Sequence, residues 1–244
     1  MAAIPFQREI DYPESDGRPL GETERHRQEI VDLIYGLQQH FSASPDVYVG
    51  GNMFIYTSAL DRRKSVCPDV FVAKGVGKHE RRTFRLWEEA QGPCLVIEVT
   101  SESTRDEDME KKEKYARLGV AEYFLFDPFG EYLSPRLQGF RLRRGGYLAI
   151  PRQEDGSLAS ESCGLILQPE GDKLRLVNAV TGEPLPWVDE IKGLLEAAQS
   201  RAAAEAQGRR RESAARQAAE ARAAAAEEKL ARLLRQLGER DPDA

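Results

Sequence analysis

Pro68-Asp69-Val70-Phe71-Val72 and, about thirty residues later, Leu95-Val96-Ile97-Glu98-Val99-Thr100 decide the reading of this chain. Both are short apolar runs rich in β-branched residues, as core strands are. Each carries one carboxylate: Asp69 opens its run and Glu98 interrupts its own. A buried carboxylate without a partner costs roughly several kcal/mol, so two of them call for a shared cation. Strand alternation places Val96, Glu98 and Thr100 on one face and Leu95, Ile97 and Val99 on the other.

Downstream, residues 104 to 118 read as a helix that Gly119 stops, and Glu122-Tyr123-Phe124-Leu125-Phe126 reads as a further strand. Strand, helix and strand of this length predict a right-handed crossover with the two strands parallel. The helix then returns across the sheet and offers Lys111, Lys112 and Lys114 to the Glu98 strand. Lys111 shares a face with Tyr115 and Leu118, and Lys112 with Met109 and Ala116; helical geometry alone does not choose between them.

Upstream, residues 22 to 41 predict an amphipathic helix, with Ile30, Leu33, Ile34, Leu37 and Phe41 spaced by three and four. Val47-Tyr48-Val49 and Met53-Phe54-Ile55-Tyr56 follow as strands. Beyond Pro128, four short segments (Phe140 to Leu142, Tyr147 to Ile150, Leu165 to Leu167 and Leu174 to Val177) predict antiparallel strands forming a peripheral β extension. From Val188 the composition turns to Ala, Arg, Glu and Gln, which predicts a helical tail over 188–244 behind a first domain over 1–187. Gly208 is its one candidate break. An Ala- and Leu-rich stripe reads either as a solvated helix or as a coiled coil, and the coiled coil is favoured because an isolated helix gains little without packing a face. A homo-oligomer through this helix is expected.

The formal net charge of −6 over 244 residues weighs against nucleic-acid binding, whose affinity comes largely from Lys and Arg displacing counterions. The charge is uneven, however: residues 201 to 240 hold ten Lys and Arg against six Asp and Glu. Basic runs also occur at Arg62-Arg63-Lys64, Arg81-Arg82 and Arg143-Arg144. Cys67, Cys94 and Cys163 are too scattered for a disulfide framework or a zinc site. No apolar run spans a membrane and no signal segment opens the sequence, so a cytoplasmic protein is expected.

Two strand carboxylates and a nearby lysine suit phosphodiester hydrolysis, in which a bound cation neutralises developing phosphoryl charge and activates water. Magnesium or manganese is the expected ion. Asp69 and Glu98 are enough protein carboxylates for it, and the Val99 carbonyl adds a ligand. A lysine would orient the water or stabilise the transition state. Position 100, where a nuclease would place that lysine, holds Thr100, so the cation comes from the helix. Each acid also has a structural alternative: Asp69 capping a turn, and Glu98 paired with a helix lysine.

The series Pro68 to Val72, Leu95 to Ser101, Ser103-Thr104-Arg105, Lys111, Tyr115, Gly119-Val120 and Glu122 to Pro128 resembles the Uma-two family over roughly residues 10 to 180. That family is grouped with restriction-endonuclease-like proteins of the PD-(D/E)XK superfamily. The resemblance implies an α/β (α+β) fold with a restriction-endonuclease-like mixed sheet core flanked by helices. It matches Asp69 and Glu98 to the metal-binding acids and Lys111 to the family's displaced lysine. The acid four residues before that lysine falls on Glu107, with Asp108 adjacent, and Glu22 with His26 resembles an N-terminal acid and histidine facing the same cleft. Arg105 either contacts phosphate or pairs with neighbouring acids. The implied activity is magnesium-dependent endonucleolytic cleavage of nucleic acid, DNA before RNA, with Asp69, Glu98, Lys111 and Glu22 as the catalytic set. The alternative is a weak or inactive relative that binds nucleic acid or recruits partners through its helix, which the missing lysine at 100 and the acidic charge favour.

Overall fold

The computed structural model describes residues 12–14 and 23–238. In chain order the elements are α1 (Glu24–His40), β1 (Val47–Gly50), β2 (Ile55–Tyr56), β3 (Ser65–Val66), β4 (Val70–Lys74), β5 (Phe84–Arg85) and β6 (Pro93–Val99). A short 3-10 turn (Glu102–Thr104) leads into α2 (Arg105–Arg117), followed by β7 (Glu122–Phe126), β8 (Leu137–Arg143), β9 (Gly146–Ala149), β10 (Leu158–Ser160), β11 (Leu165–Glu170), β12 (Lys173–Asn178) and α3 (Val188–Gly238). This is a mixed α/β fold with a long C-terminal helix.

The central sheet has the order β1-β4-β6-β7-β8-β9. β4 runs antiparallel to β6, with Val70 opposite Ile97, and β6 runs parallel to β7, with Glu98 beside Leu125. The parallel pair is the one the crossover helix predicts. α2 ends at Gly119, whose φ of 79° is open to glycine at no steric cost. Thr23 caps α1, its side chain accepting from the His26 amide at 3.2 Å.

Alternation splits the core in two. Val70, Val72, Leu95, Ile97, Val99, Phe124 and Phe126 face α1 and the second sheet. Phe71, Ala73, Val96, Tyr123 and Leu125 face the other way, packing with Tyr115 of α2 and with Ile55, Val66 and Phe84 of the small β3-β2-β5 sheet. Asp69 and Glu98 lie in register with this second face.

The expected peripheral extension is corrected by the fold. β8 and β9 complete the central sheet, and the sheet β10-β11-β12 closes the first core layer. Leu158, Leu165, Leu167, Leu174 and Leu176 are buried in one cluster with Ile30, Leu33 and Leu37 of α1. Their fully buried leucines recur at every second position, with the residues between them less buried in β11. Read singly, such strands look like surface hairpins.

α1 is tied to this sheet by buried acids. Glu29 accepts from the Leu174 amide at 2.8 Å and from Arg25 at 2.9 Å. Burial pushes its carboxyl up to about 7 against the pull of those donors. Asp32 accepts from the Val188 amide at 2.9 Å and from Gln28 at 3.1 Å.

By its contacts the chain divides into two compact units, Met1–Val188 and Asp189–Ala244. The second consists of α3, which runs unbroken through Gly208, so that glycine is no break. No helix of the described residues is long and apolar enough to cross a membrane.

The Glu29 bond predicts its own cost. Glu29→Ala strands the buried Leu174 amide, worth about 1–3 kcal/mol, and the urea midpoint should fall at constant m-value. An unchanged midpoint would mean that α1 is held by its apolar face alone.

Candidate active site

Pro68 and Asp69 leave the β3 hairpin and enter β4 under a clamp made by Gly50-Gly51-Asn52. The Asn52 amide donates to the Pro68 carbonyl at 3.0 Å and to that of Asp69 at 3.3 Å, with Asn52 in the left-handed region at φ 47°. A Cβ on Gly51 would lie 2.2 Å from the Asp69 carbonyl oxygen and 2.6 Å from Ile34. Only glycine permits this approach, which fixes where Asp69 begins.

The Asp69 carboxylate then reaches across to β6, where Oδ2 accepts from the Val99 amide at 2.8 Å. His26 Nε2, on the first turn of α1, lies 3.3 Å from the same oxygen. The Asp69 amide donates to Glu98 Oε2 at 3.4 Å. Glu98 is 1% exposed. Its Oε2 accepts from Lys111 Nζ at 3.0 Å and its Oε1 from the Tyr115 hydroxyl at 2.7 Å. Asp69, Glu98 and Lys111 therefore meet at one sheet face.

Burial, reinforced by the charge of Asp69, pushes the Glu98 carboxyl up to about 8, although Lys111 and Tyr115 pull it down. Lys111 is held above the ordinary lysine value: burial alone would lower it, but Glu98, Asp69 and Glu107 more than offset this. The lysine stays charged and bonds Glu98 directly. Burial and the neighbouring Glu98 push the Tyr115 phenol up, keeping it a hydrogen-bond donor.

The two lysines left open by helical geometry have different roles. Lys112 sits over the Phe140 ring of β8, 3.3 Å from its centroid, and burial lowers its basicity. Lys111 alone reaches Glu98.

Glu107 is an exposed partner of Lys111 at 3.5 Å. Asp108 is buried and belongs to a different constellation. Its carboxylate accepts from Thr100 Oγ1, from Thr104 Oγ1 at 3.1 Å and from the Tyr132 hydroxyl at 2.6 Å. Thr100, standing where a lysine was wanted, thus bolts the end of β6 to α2 one turn before Lys111. Tyr132 is set in turn by Asp127, whose side chain accepts four backbone amides, Phe129, Gly130, Tyr132 and Leu133, at 2.7–3.2 Å. Burial would raise the Asp127 carboxyl, but these donors hold it below the usual carboxylate value. Arg105 pairs with Glu102 at 3.8 Å and lies over the Tyr132 ring.

Among the described residues no group of three or more His, Cys, Asp or Glu is arranged to hold a metal ion. Magnesium needs fewer, commonly one or two protein carboxylates with waters and substrate oxygens. Asp69 and Glu98 fit that requirement by type. A raised carboxyl facing a second carboxylate is also a site that a cation would stabilise. Val99 enters through its amide, while Glu22 lies outside the described residues. Sequence reasoning gave Tyr115 no polar role and missed the link from Asp127 through Tyr132 to Asp108. The run Asp127-Pro128-Phe129-Gly130 after a strand was its one available signal.

The family model described as "Putative restriction endonuclease", Uma2, matches residues 2–168. The chain belongs to the Uma2 family. The match contains Asp69, Glu98, Lys111, Tyr115 and the Asp108 constellation. Among solved structures, the chain is similar to one titled as a putative nuclease belonging to DUF820 from Anabaena variabilis, with 12% identity, a TM-score of 0.43, and coverage of 58% of this chain and 75% of that one. No curated protein matches.

The Gly51 clamp is directly testable. Gly51→Ala drives a methyl into the Asp69 carbonyl, and overpacking of this kind costs about 1–3 kcal/mol. Urea unfolding reads the loss. Wild-type stability in this variant would show that Asp69 is not held from this side.

Proposed function

We propose that this Uma2 chain is a metal-dependent endonuclease that hydrolyses phosphodiester bonds in nucleic acid, with DNA as the first substrate to test. The observation carrying this reading is the buried pair Asp69 and Glu98, delivered by two antiparallel strands to one face beside Lys111. Asp69 and Glu98 would hold magnesium or manganese, with the Val99 carbonyl and Glu22 as further oxygen donors. The ion, when bound, supplies Lewis-acid stabilisation of phosphoryl charge and a more acidic water. Lys111 orients the attacking water or meets the charge that develops on the phosphate. Tyr115 keeps Glu98 aimed by its bond to Oε1.

A second reading has its own support. Both oxygens of Glu98 are already engaged, by Lys111 and Tyr115, and Thr100 is tied to Asp108. Such a site satisfies itself without a metal and suits a weak or inactive relative that binds nucleic acid or assembles with partners.

Incubating the purified protein with mixed DNA and RNA, with and without magnesium or manganese, separates the two. Metal-dependent cleavage should fall by about 10²-fold or more in Asp69→Ala and Glu98→Gln, the scale of losing one electrostatic stabiliser. Absence of cleavage together with retained nucleic-acid binding would favour the second reading. pH gives an independent check. With its carboxyl near 8 in the fold against an ordinary 4.5, Glu98 keeps a proton when folded that it loses when unfolded. Its contribution to metal-free stability therefore falls as pH rises through that window. Metal binding displaces the proton, so affinity should rise about tenfold per pH unit up to that pKa. In Glu98→Gln both trends should flatten, and a slope that persists would locate the titrating group elsewhere.

We further propose that α3 pairs with a second copy. Leu230, Leu233 and Leu234 are all exposed on it, and a lone helix of this composition gains little stability in water. Leu230→Glu combined with Leu234→Glu should reduce the mass seen by light scattering. A wild-type protein already monomeric at micromolar concentration would refute the pairing.

A further inference from the structure

The turn between β2 and β3 carries a charge pattern unlike that of the chain around it. Within residues 57–64, the exposed Arg62, Arg63 and Lys64 stand against one carboxylate, Asp61, whereas the whole chain nets −6. Leu60, in the same turn, is 87% exposed. A single exposed leucine is common on protein surfaces; this one differs in that the backbone beneath it is locked.

β2 and β3 pair antiparallel, with Tyr56 opposite Ser65. Beyond them the Thr57 amide and hydroxyl both donate to the Lys64 carbonyl, at 2.9 and 3.0 Å, and the Lys64 amide donates to the Asp61 carbonyl at 3.0 Å. The Leu60 amide donates to Ser58 Oγ at 3.2 Å. The Tyr12 hydroxyl donates to the Ala59 carbonyl at 2.7 Å, and its ring lies against Tyr56 and Trp87, with centroids 5.0 and 5.2 Å apart. Asp61 accepts from the Arg63 amide at 3.1 Å and from its guanidinium at 3.0 and 3.3 Å, so these two charges offset each other. Arg62 and Lys64 remain as exposed charge on a loop with little further entropy to lose on binding.

The hairpin leads straight into the candidate active site. Lys64 stands five residues before Asp69, at most about 18 Å of extended chain, a length over which one strand of B-DNA passes about five phosphates. A duplex lying on the Asp69 and Glu98 face is therefore within reach of the hairpin. Residues 57–64 hold no aromatic ring, the platform on which single-stranded bases stack, and no Asn or Gln to read base edges. An aliphatic tip beside cations instead suits a wedge at a base step with phosphates on either side.

We propose that the β2–β3 hairpin binds duplex DNA, with Arg62 and Lys64 on phosphates, Leu60 pressed against the base pairs, and little preference for sequence. This rests on nucleic acid being the ligand, as in both readings above, and not on cleavage.

The test is fluorescence anisotropy of the full chain on a labelled duplex of about 20 base pairs, in EDTA so that no cleavage intervenes, with salt raised from about 50 to about 200 mM. Each lost phosphate contact should lower the slope of log affinity against log salt by about 0.9, so Arg62→Gln with Lys64→Gln should lower it by about 1.8 and shrink the affinity lost over that range by about tenfold. Arg62→Lys with Lys64→Arg, which keeps both charges, should retain the wild-type slope. Leu60→Ser should leave the slope unchanged and weaken binding by about tenfold, the scale of an apolar contact of that size. The proposal is overturned by a wild type that leaves the duplex unbound at about 50 mM salt, by a slope indifferent to the loss of both charges, by a Leu60→Ser protein that binds as tightly as the wild type, or by tighter binding of a single strand of the same length. It is overturned also if these variants change the mass seen by light scattering and leave DNA binding untouched, which would mark the hairpin as a protein contact. Cleavage assays read the active site separately. Hairpin-dependent binding without metal-dependent cleavage upholds this proposal and removes the endonuclease, whereas cleavage with a slope indifferent to Arg62 and Lys64 does the reverse.

Discussion

Two buried acids, one of them bonded to a lysine, are the constraint on which the rest of this structure depends. Asp69 and Glu98 come from neighbouring strands to the same face, where water is excluded and like charges repel. Lys111 at 3.0 Å and Tyr115 at 2.7 Å supply Glu98 with a charge and a proton donor, while the Val99 amide and His26 serve Asp69. Removing one partner from such a set leaves a buried charge uncompensated, at a cost of about 3–5 kcal/mol. The elements that carry these groups are accordingly pinned at several points: α2 through Asp108, β4 through the Gly51 clamp, and α1 through Glu29 and Asp32.

The pinning runs in series. Asp127 gathers four amides of the loop after β7 and thereby fixes Tyr132; Tyr132 and Thr100 hold Asp108; Asp108 sets α2 one turn before Lys111. Thr100 follows β6 directly, so Glu98 and Lys111 are referenced to the same strand end. The substitution that looks like a loss at position 100 is in this sense a gain in rigidity. A threonine hydroxyl there anchors the helix from which the charge is delivered.

Much of this was legible in the sequence because strand alternation has a strict period of two. Asp69 and Glu98 could be expected in one cleft, and the crossover placed the Glu98 strand parallel to the Phe124 strand as found; the antiparallel direction of the Asp69 strand was not foreseen. Lys111 against Lys112 was not decidable from helical geometry, since each has a packed neighbour one turn away. The Phe140 ring on β8, distant in sequence, settles it by taking Lys112. The β10-β11-β12 sheet was misjudged for a related reason: its strands are short and interrupted by Glu170, Lys173 and Arg175, and only contact with α1 identifies Leu158, Leu165, Leu167, Leu174 and Leu176 as core.

The electrostatics also limit what substitution can reveal. With Glu98 inclined to hold a proton, the face carries the charge of Asp69 opposed by Lys111, close to neutral. Binding of the proposed divalent ion would release that proton, which would make metal affinity and Glu98 ionisation one equilibrium. Lys111→Ala disturbs both the ion pair and the proposed chemistry, and its loss of activity would not tell a misfolded site from a missing cation. Glu98→Gln keeps the shape and removes the charge, and Tyr115→Phe keeps the charge and removes one donor. Comparing those two separates the electrostatic demand of the fold from that of the reaction, because only the first abolishes a carboxylate ligand.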